Sequence, residues 1–162
     1  MMKYYNMEMV FQEIPDEISL AINITNCPNR CEGCHSPHLR EDIGDELTID
    51  AISENMNEHI TCILFMGGDG DRKGLKDILK KVKDEYPYIK TAWYSGRCRI
   101  PTKDMPLDYF KLGRYIKELG GLDNPNTNQR LIKVDVDENG FRILSDITAM
   151  MQKKWKKNEV QI

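Results

Sequence analysis

The sequence predicts an α/β domain over residues 1–162, a partial, open (βα) barrel with a C-terminal β-hairpin and helix. Three observations point there. Strand-like and helix-like segments alternate from Ile18 to Leu112, which implies βαβ units, a parallel sheet and right-handed crossovers. Asn139-Gly140 then separates two alternating segments, the strongest short-range hairpin signal. The 162 residues fall short of the about 250 that eight (βα) units require, so a barrel can be only partly built and has an open side.

The elements follow in order. Ile18 to Ile24 alternates apolar with small or polar residues and predicts a strand running directly into a cysteine-rich loop. Ile49, Ile52 and Met56 recur at helical spacing, with Thr48 placed to cap. Thr61 to Met66 is a short apolar run, the pattern of a buried parallel strand, and Gly67-Gly68-Asp69-Gly70 follows it. Leu75, Ile78, Leu79 and Val82 predict an amphipathic helix closed by Pro87. Ile89 to Tyr94 predicts the next strand, ending at Ser95-Gly96, and Tyr109 to Leu112 a fourth. Leu131 to Val136 and Phe141 to Leu144 form the hairpin arms; Ser145 is placed to cap a last helix carrying Ile147, Met150, Met151 and Trp155.

Composition narrows the class. With 40% apolar and 30% charged residues the chain reads as soluble and globular. A formal charge of −3 gives no general reason to expect a nucleic-acid partner. No apolar run approaches about 18 residues, so no membrane span is expected. The first residues, Met1 to Asn6, lack the apolar stretch of a secretory signal, which predicts a cytoplasmic protein. The basic run Lys153 to Lys157 reads as the solvated last turn of a helix.

Chemistry concentrates in Cys27-Pro28-Asn29-Arg30-Cys31-Glu32-Gly33-Cys34, a C-x3-C-x2-C spacing. Three thiolates this close suit three irons of a cubane 4Fe-4S cluster and leave the fourth iron open to a small molecule. Zinc competes for the same thiols, but a closed zinc site takes four ligands, and His35 and His38, the nearby nitrogens, stand beside Cys34. Free or redox-active thiols are the third possibility. A disulfide framework is disfavoured by the odd count of five cysteines and the reducing compartment.

The other candidates each carry a plain alternative. Gly67, Gly68 and Asp69 offer close-approaching backbone to a ligand, or simply a tight turn into the next helix. Ser95 with Gly96 suits a ribose hydroxyl, or a turn. The cysteine, Gly-Gly-Asp and Ser-Gly segments each follow a predicted strand and should share one rim, where parallel α/β sheets keep their chemistry. That convergence favours the cluster over zinc. Cys62, within an apolar strand, reads as a buried small hydrophobe. Cys98, between Arg97 and Arg99, reads as a spare surface thiol or a reactive one. His35 and His38 are loop residues or supports of the cluster from outside its ligands, and His59 an exposed residue.

These motifs resemble those of radical S-adenosylmethionine (SAM) proteins: C-x3-C-x2-C after the first strand and Gly-Gly-Asp after the second. More narrowly, the chain resembles the activating proteins of anaerobic (class III) ribonucleoside-triphosphate reductases, through the stretch Tyr115 to Arg130 with its Asn128-Gln129-Arg130 triplet. The likeness runs from about Ile18 to Arg130. It departs at Phe11-Gln12-Glu13-Ile14-Pro15, where such proteins often carry a Gly-Pro-Gly-Arg-like segment, and at Cys34-His35-Ser36, where Cys-Tyr-Asn is common.

The resemblance implies a partial barrel of the radical SAM type, with Cys27, Cys31 and Cys34 as ligands of a 4Fe-4S cluster and S-adenosyl-L-methionine on its open iron. It implies that Gly67, Gly68 and Asp69 seat the amino group and methionine part of SAM, with Ser95 near the ribose. One electron from the cluster would cleave SAM to methionine and a 5′-deoxyadenosyl radical, which takes a hydrogen atom from a glycine of the reductase's glycyl-radical subunit. A flavodoxin-like or ferredoxin-like protein would supply the electron. The competing expectations are a radical SAM enzyme acting on another glycyl-radical enzyme or on a small molecule, and a non-enzymatic zinc-binding interaction module.

Overall fold

Four strands run parallel side by side at the centre of the molecule, and their C-terminal ends open on one rim. The computed structural model describes residues 1–152. The parallel strands are β2 (Ser19–Ile24), β4 (Cys62–Met66), β5 (Lys90–Tyr94) and β6 (Tyr109–Leu112). Antiparallel strands extend the sheet on both sides. β1 (Lys3–Val10) pairs with β2 and with the two-residue β3 (Asp45–Glu46). β7 (Arg130–Val136) pairs with β6 and with β8 (Arg142–Asp146). The order is β3-β1-β2-β4-β5-β6-β7-β8, one mixed sheet of eight strands.

This corrects the expected partial, open (βα) barrel. Among the described residues the sheet carries only two α-helices, α1 (Ile49–Asn55) and α2 (Arg72–Glu85). The βα alternation ends at β5, because residues 95–108, with Pro101 and Pro106, reach β6 without a helix. A barrel wall needs a helix behind each parallel strand; here four of the eight strands are antiparallel additions at the edges. The hairpin stands as expected, as β7 and β8. The expected last helix does not start at Ser145, which lies within β8. Instead the Asp146 carboxylate accepts from the Thr148 backbone N–H (3.0 Å) and opens a short 3-10 turn, Thr148–Gln152. Trp155 and the Lys153 to Lys157 run lie outside the described residues.

Local chemistry explains α1 and α2. The Thr48 hydroxyl accepts from Ala51 N–H (3.1 Å) at the start of α1, and the Asp71 carboxylate accepts from Gly74 N–H (2.9 Å) at the start of α2. Leu75, Ile78, Leu79 and Val82 of α2 are buried against the sheet. They meet one face of the parallel strands: Leu20, Ile22 and Ile24 of β2, Ile63 and Phe65 of β4, Trp93 of β5 and Phe110 of β6. Period-two alternation sends Ala21, Cys62, Leu64, Ala92 and Tyr109 to the opposite face, where Ile14, Leu122 and Leu131 cover them instead of helices. Among the described residues no helix is long and apolar enough to cross a membrane.

Gly44 shows how tightly the β1 edge is fitted. Its φ is +90°, and a Cβ there would lie 2.0 Å from the Tyr4 carbonyl oxygen. Gly44→Ala is expected to cost about 2 kcal/mol or more, from the left-handed backbone and the displacement of β3 from β1. Urea denaturation measures it, and a change below about 0.5 kcal/mol would contradict this packing.

Candidate functional site

The register of the parallel strands builds a floor. Asn23 pairs with Met66, Met66 with Tyr94, and Tyr94 with Lys111, one residue from the end of β2 and at or near the ends of β4, β5 and β6. All four alternate onto the face away from α1 and α2, and all four line one cavity of about 200 Å³.

The cysteine loop forms a wall of that cavity. β2 continues through Asn26, at φ 59°, into Cys27. The chain then folds back on itself: Asn26 N–H donates to Glu41 O (3.2 Å) and Cys27 N–H to Leu39 O (3.0 Å), next to a 3-10 turn at Pro37–Arg40. Inside the loop Cys34 N–H donates to Cys31 O (3.3 Å), and the Arg40 guanidinium donates to the same oxygen at 2.7 Å. Cys27, Cys31 and Cys34 all line the cavity. Neither histidine does. His35 packs on Tyr115 (5.2 Å between ring centres) and His38 on Tyr5 (4.8 Å).

The Gly-Gly-Asp loop closes the cavity from the end of β4. Gly67 adopts φ +110°, and a Cβ there would press on the Ile24 carbonyl at 3.1 Å, so the loop lies directly against the end of β2. Asp69 is 5% exposed and fully engaged. It accepts from Ser95 Oγ (2.5 Å), Gly96 N–H (2.8 Å) and Asn29 Nδ2 (2.6 Å). One carboxylate thus ties the cysteine loop to the end of β5. Of the sequence-derived candidates, Cys27, Cys31, Cys34, Gly67 and Asp69 meet on the cavity. Gly68 faces a neighbouring recess, and Ser95 is wholly buried, with its hydroxyl spent on Asp69 and on Arg97 N–H.

No family model, no curated protein and no solved structure matches the chain.

Lys111, Arg40 and Asn29 line the cavity without having been site candidates from the sequence, and Tyr115 and Gln129 stood there only within the stretch that carries the resemblance. Lys111 is the most informative. Its ammonium is buried, donates to Gly113 O (3.3 Å), and sits 5.4 Å over the Tyr94 ring. Burial pulls its pKa down to about 8, against the opposing pull of Asp69, Cys31 and Cys27. The signal was a lone lysine inside the apolar strand Tyr109-Phe110-Lys111-Leu112. Because the fold disfavours the charged form, Lys111 makes the unfolded chain bind more protons between pH 8 and 10.5, so its own contribution to stability should rise with pH across that window, while the raised thiol of Cys62 pulls the other way. Denaturation of the wild type and Lys111→Met at the two ends of the window isolates the Lys111 part: the variant should gain less, or lose more, stability with rising pH than the wild type.

The five thiols differ. Burial raises the Cys27 pKa, opposed by a backbone hydrogen bond at Asn29 and reinforced by Asp69, Cys31 and Cys34. Cys62 is pushed up to about 12 by burial, while Cys98 is exposed. Iodoacetamide at about pH 8 should therefore modify Cys98 and spare Cys62 in the folded protein, as peptide mapping would show; alkylation of both at similar rates would contradict the packing of β4.

The cavity lining holds three thiols, the donor type an iron–sulfur cluster takes, and no histidine. Among the described residues, however, no three His, Cys, Asp or Glu side chains are grouped closely enough to hold a metal ion.

Proposed function

We propose that this chain is a radical SAM activating protein that cleaves S-adenosyl-L-methionine at a 4Fe-4S cluster and generates the glycyl radical of an anaerobic ribonucleoside-triphosphate reductase. The observation that supports it best is the shared cavity: three thiols at C-x3-C-x2-C spacing and the Gly-Gly-Asp loop meet there, on the rim of four parallel strands. Cys27, Cys31 and Cys34 would hold the cluster, which when bound supplies the electron for reductive cleavage of SAM. Gly67 and Asp69 line the cavity where the methionine end of SAM would sit. Lys111 offers a buried positive charge toward the thiolates and toward a carboxylate ligand. Met66 and Tyr94 give the floor an apolar surface that limits water around a reactive product.

Anaerobic reconstitution with iron and sulfide, followed by electron paramagnetic resonance with and without SAM, tests the proposal. A cluster signal that changes shape on adding SAM, and a glycyl-radical signal on adding the reductase, are the expected results. A reduced cluster indifferent to SAM, or one zinc per chain with no acid-labile sulfide, would overturn it.

A further inference from the structure

A second recess, of about 230 Å³, lies between the start of α2 and the loop after β5, separate from the cysteine cavity. Arg72, Lys73, Lys76 and Arg99 line it. The first turn of α2 carries no acidic residue, and the one carboxylate at its start, the N-cap Asp71, is engaged with Gly74 N–H. Lys76 is paired with Asp104 at 2.8 Å, but among the described residues Arg72, Lys73 and Arg99 have no carboxylate within ion-pair distance. The Arg72 guanidinium is pinned 4.8 Å over the fully buried Trp93 ring, and its Nη1 is buried with no hydrogen-bond partner. Its pKa is lowered by burial first and then by Arg99, with Asp69 opposing and Arg97 adding to the depression. In a chain whose net charge is −3, this concentration of cations is local and not general. Like charges gathered on two separate segments raise the free energy of the empty site, and an anion relieves it.

We propose that this recess is a binding site for a phosphate or diphosphate group. The attraction comes from side-chain cations on two segments, with arginine forks suited to phosphate oxygens and Lys73 as a point charge. At about 230 Å³ the recess has room for a phosphoryl group. The site is also linked to the cysteine cavity. Trp93 Nε1, beneath Arg72, donates to Gly67 O at 2.7 Å, and Gly67 lines that cavity.

Isothermal titration of the full-length protein with pyrophosphate, against sodium chloride at equal ionic strength, tests this without any cluster. Saturable binding of pyrophosphate, weakened about tenfold or more in the Lys73→Ala/Arg99→Ala double variant, is expected. Both positions are exposed, so that variant should fold as the wild type does. ADP supplies the second arm: tighter binding than pyrophosphate identifies a nucleotide as the source of the phosphate, and equal binding identifies a free diphosphate. Heat no different from the salt control, or affinity unchanged in the double variant, would overturn the proposal. So would binding of polyglutamate without pyrophosphate, which would make the patch an acidic-protein surface.

Discussion

Cys31→Ala is expected to leave the sheet folded while iron, acid-labile sulfide and SAM cleavage disappear together. The Cys31 main chain holds the loop: its carbonyl accepts from Cys34 N–H and from Arg40. An alanine keeps both bonds and loses only the sulfur that lines the cavity. Stability should therefore fall by no more than about 1 kcal/mol, since removing a small, partly packed atom forms little cavity. Two thiols cannot hold a cubane cluster firmly, so iron per chain after reconstitution should drop to background and 5′-deoxyadenosine formation should cease. Cys62→Ala and Cys98→Ser serve as controls that keep full iron, because one is buried in β4 and the other lies exposed in the loop after β5. A Cys31→Ala protein with full iron and turnover would end the cluster assignment. One that unfolded would leave the question to Cys34→Ser, whose half-buried side chain carries less packing.

The sequence was most legible where burial was simplest. β4 and β5 are covered on both faces and read as short apolar runs; α2 reads from its spacing and its closing proline. β1 escaped notice because Tyr4, Asn6 and Glu8 give a half-exposed antiparallel strand with a mixed pattern and an irregular register at Tyr4/Asn6. With β1 unseen and no helix formed between β5 and β6, local alternation over-predicted a barrel. In the site, the cysteines and the Gly-Gly-Asp loop were visible because each is contiguous. Lys111 was not, since it reaches the cavity only through pairing across β5 and β6. Ser95 lies on the expected rim, yet its hydroxyl turns inward to Asp69, a direction that no spacing rule records.

That inward turn makes Asp69 the second large effect. Asp69→Ala would leave Ser95 Oγ, Gly96 N–H and Asn29 Nδ2 without their acceptor at a buried point. Stability should fall by on the order of 3 kcal/mol, the range for orphaned donors at a charged acceptor. The same loss frees the cysteine loop from the end of β5, so cluster loading should fall as well. Asp69→Asn separates position from charge. Its carbonyl oxygen can still accept from Gly96 and Asn29, and its amide can donate to Ser95 Oγ, which keeps a lone pair beside the one used by Arg97 N–H. Asp69→Asn should thus recover most of the stability and iron content. If SAM affinity recovers with them, Asp69 acts as a tie that positions the cysteine loop. If SAM affinity stays low while fold and iron return, the carboxylate charge acts on the ligand directly, and the Asn29 bond at 2.6 Å must open when SAM binds. Urea denaturation, iron content and SAM titration on the two variants distinguish the cases, because a latch moves all three readouts together and a ligand contact moves only the last.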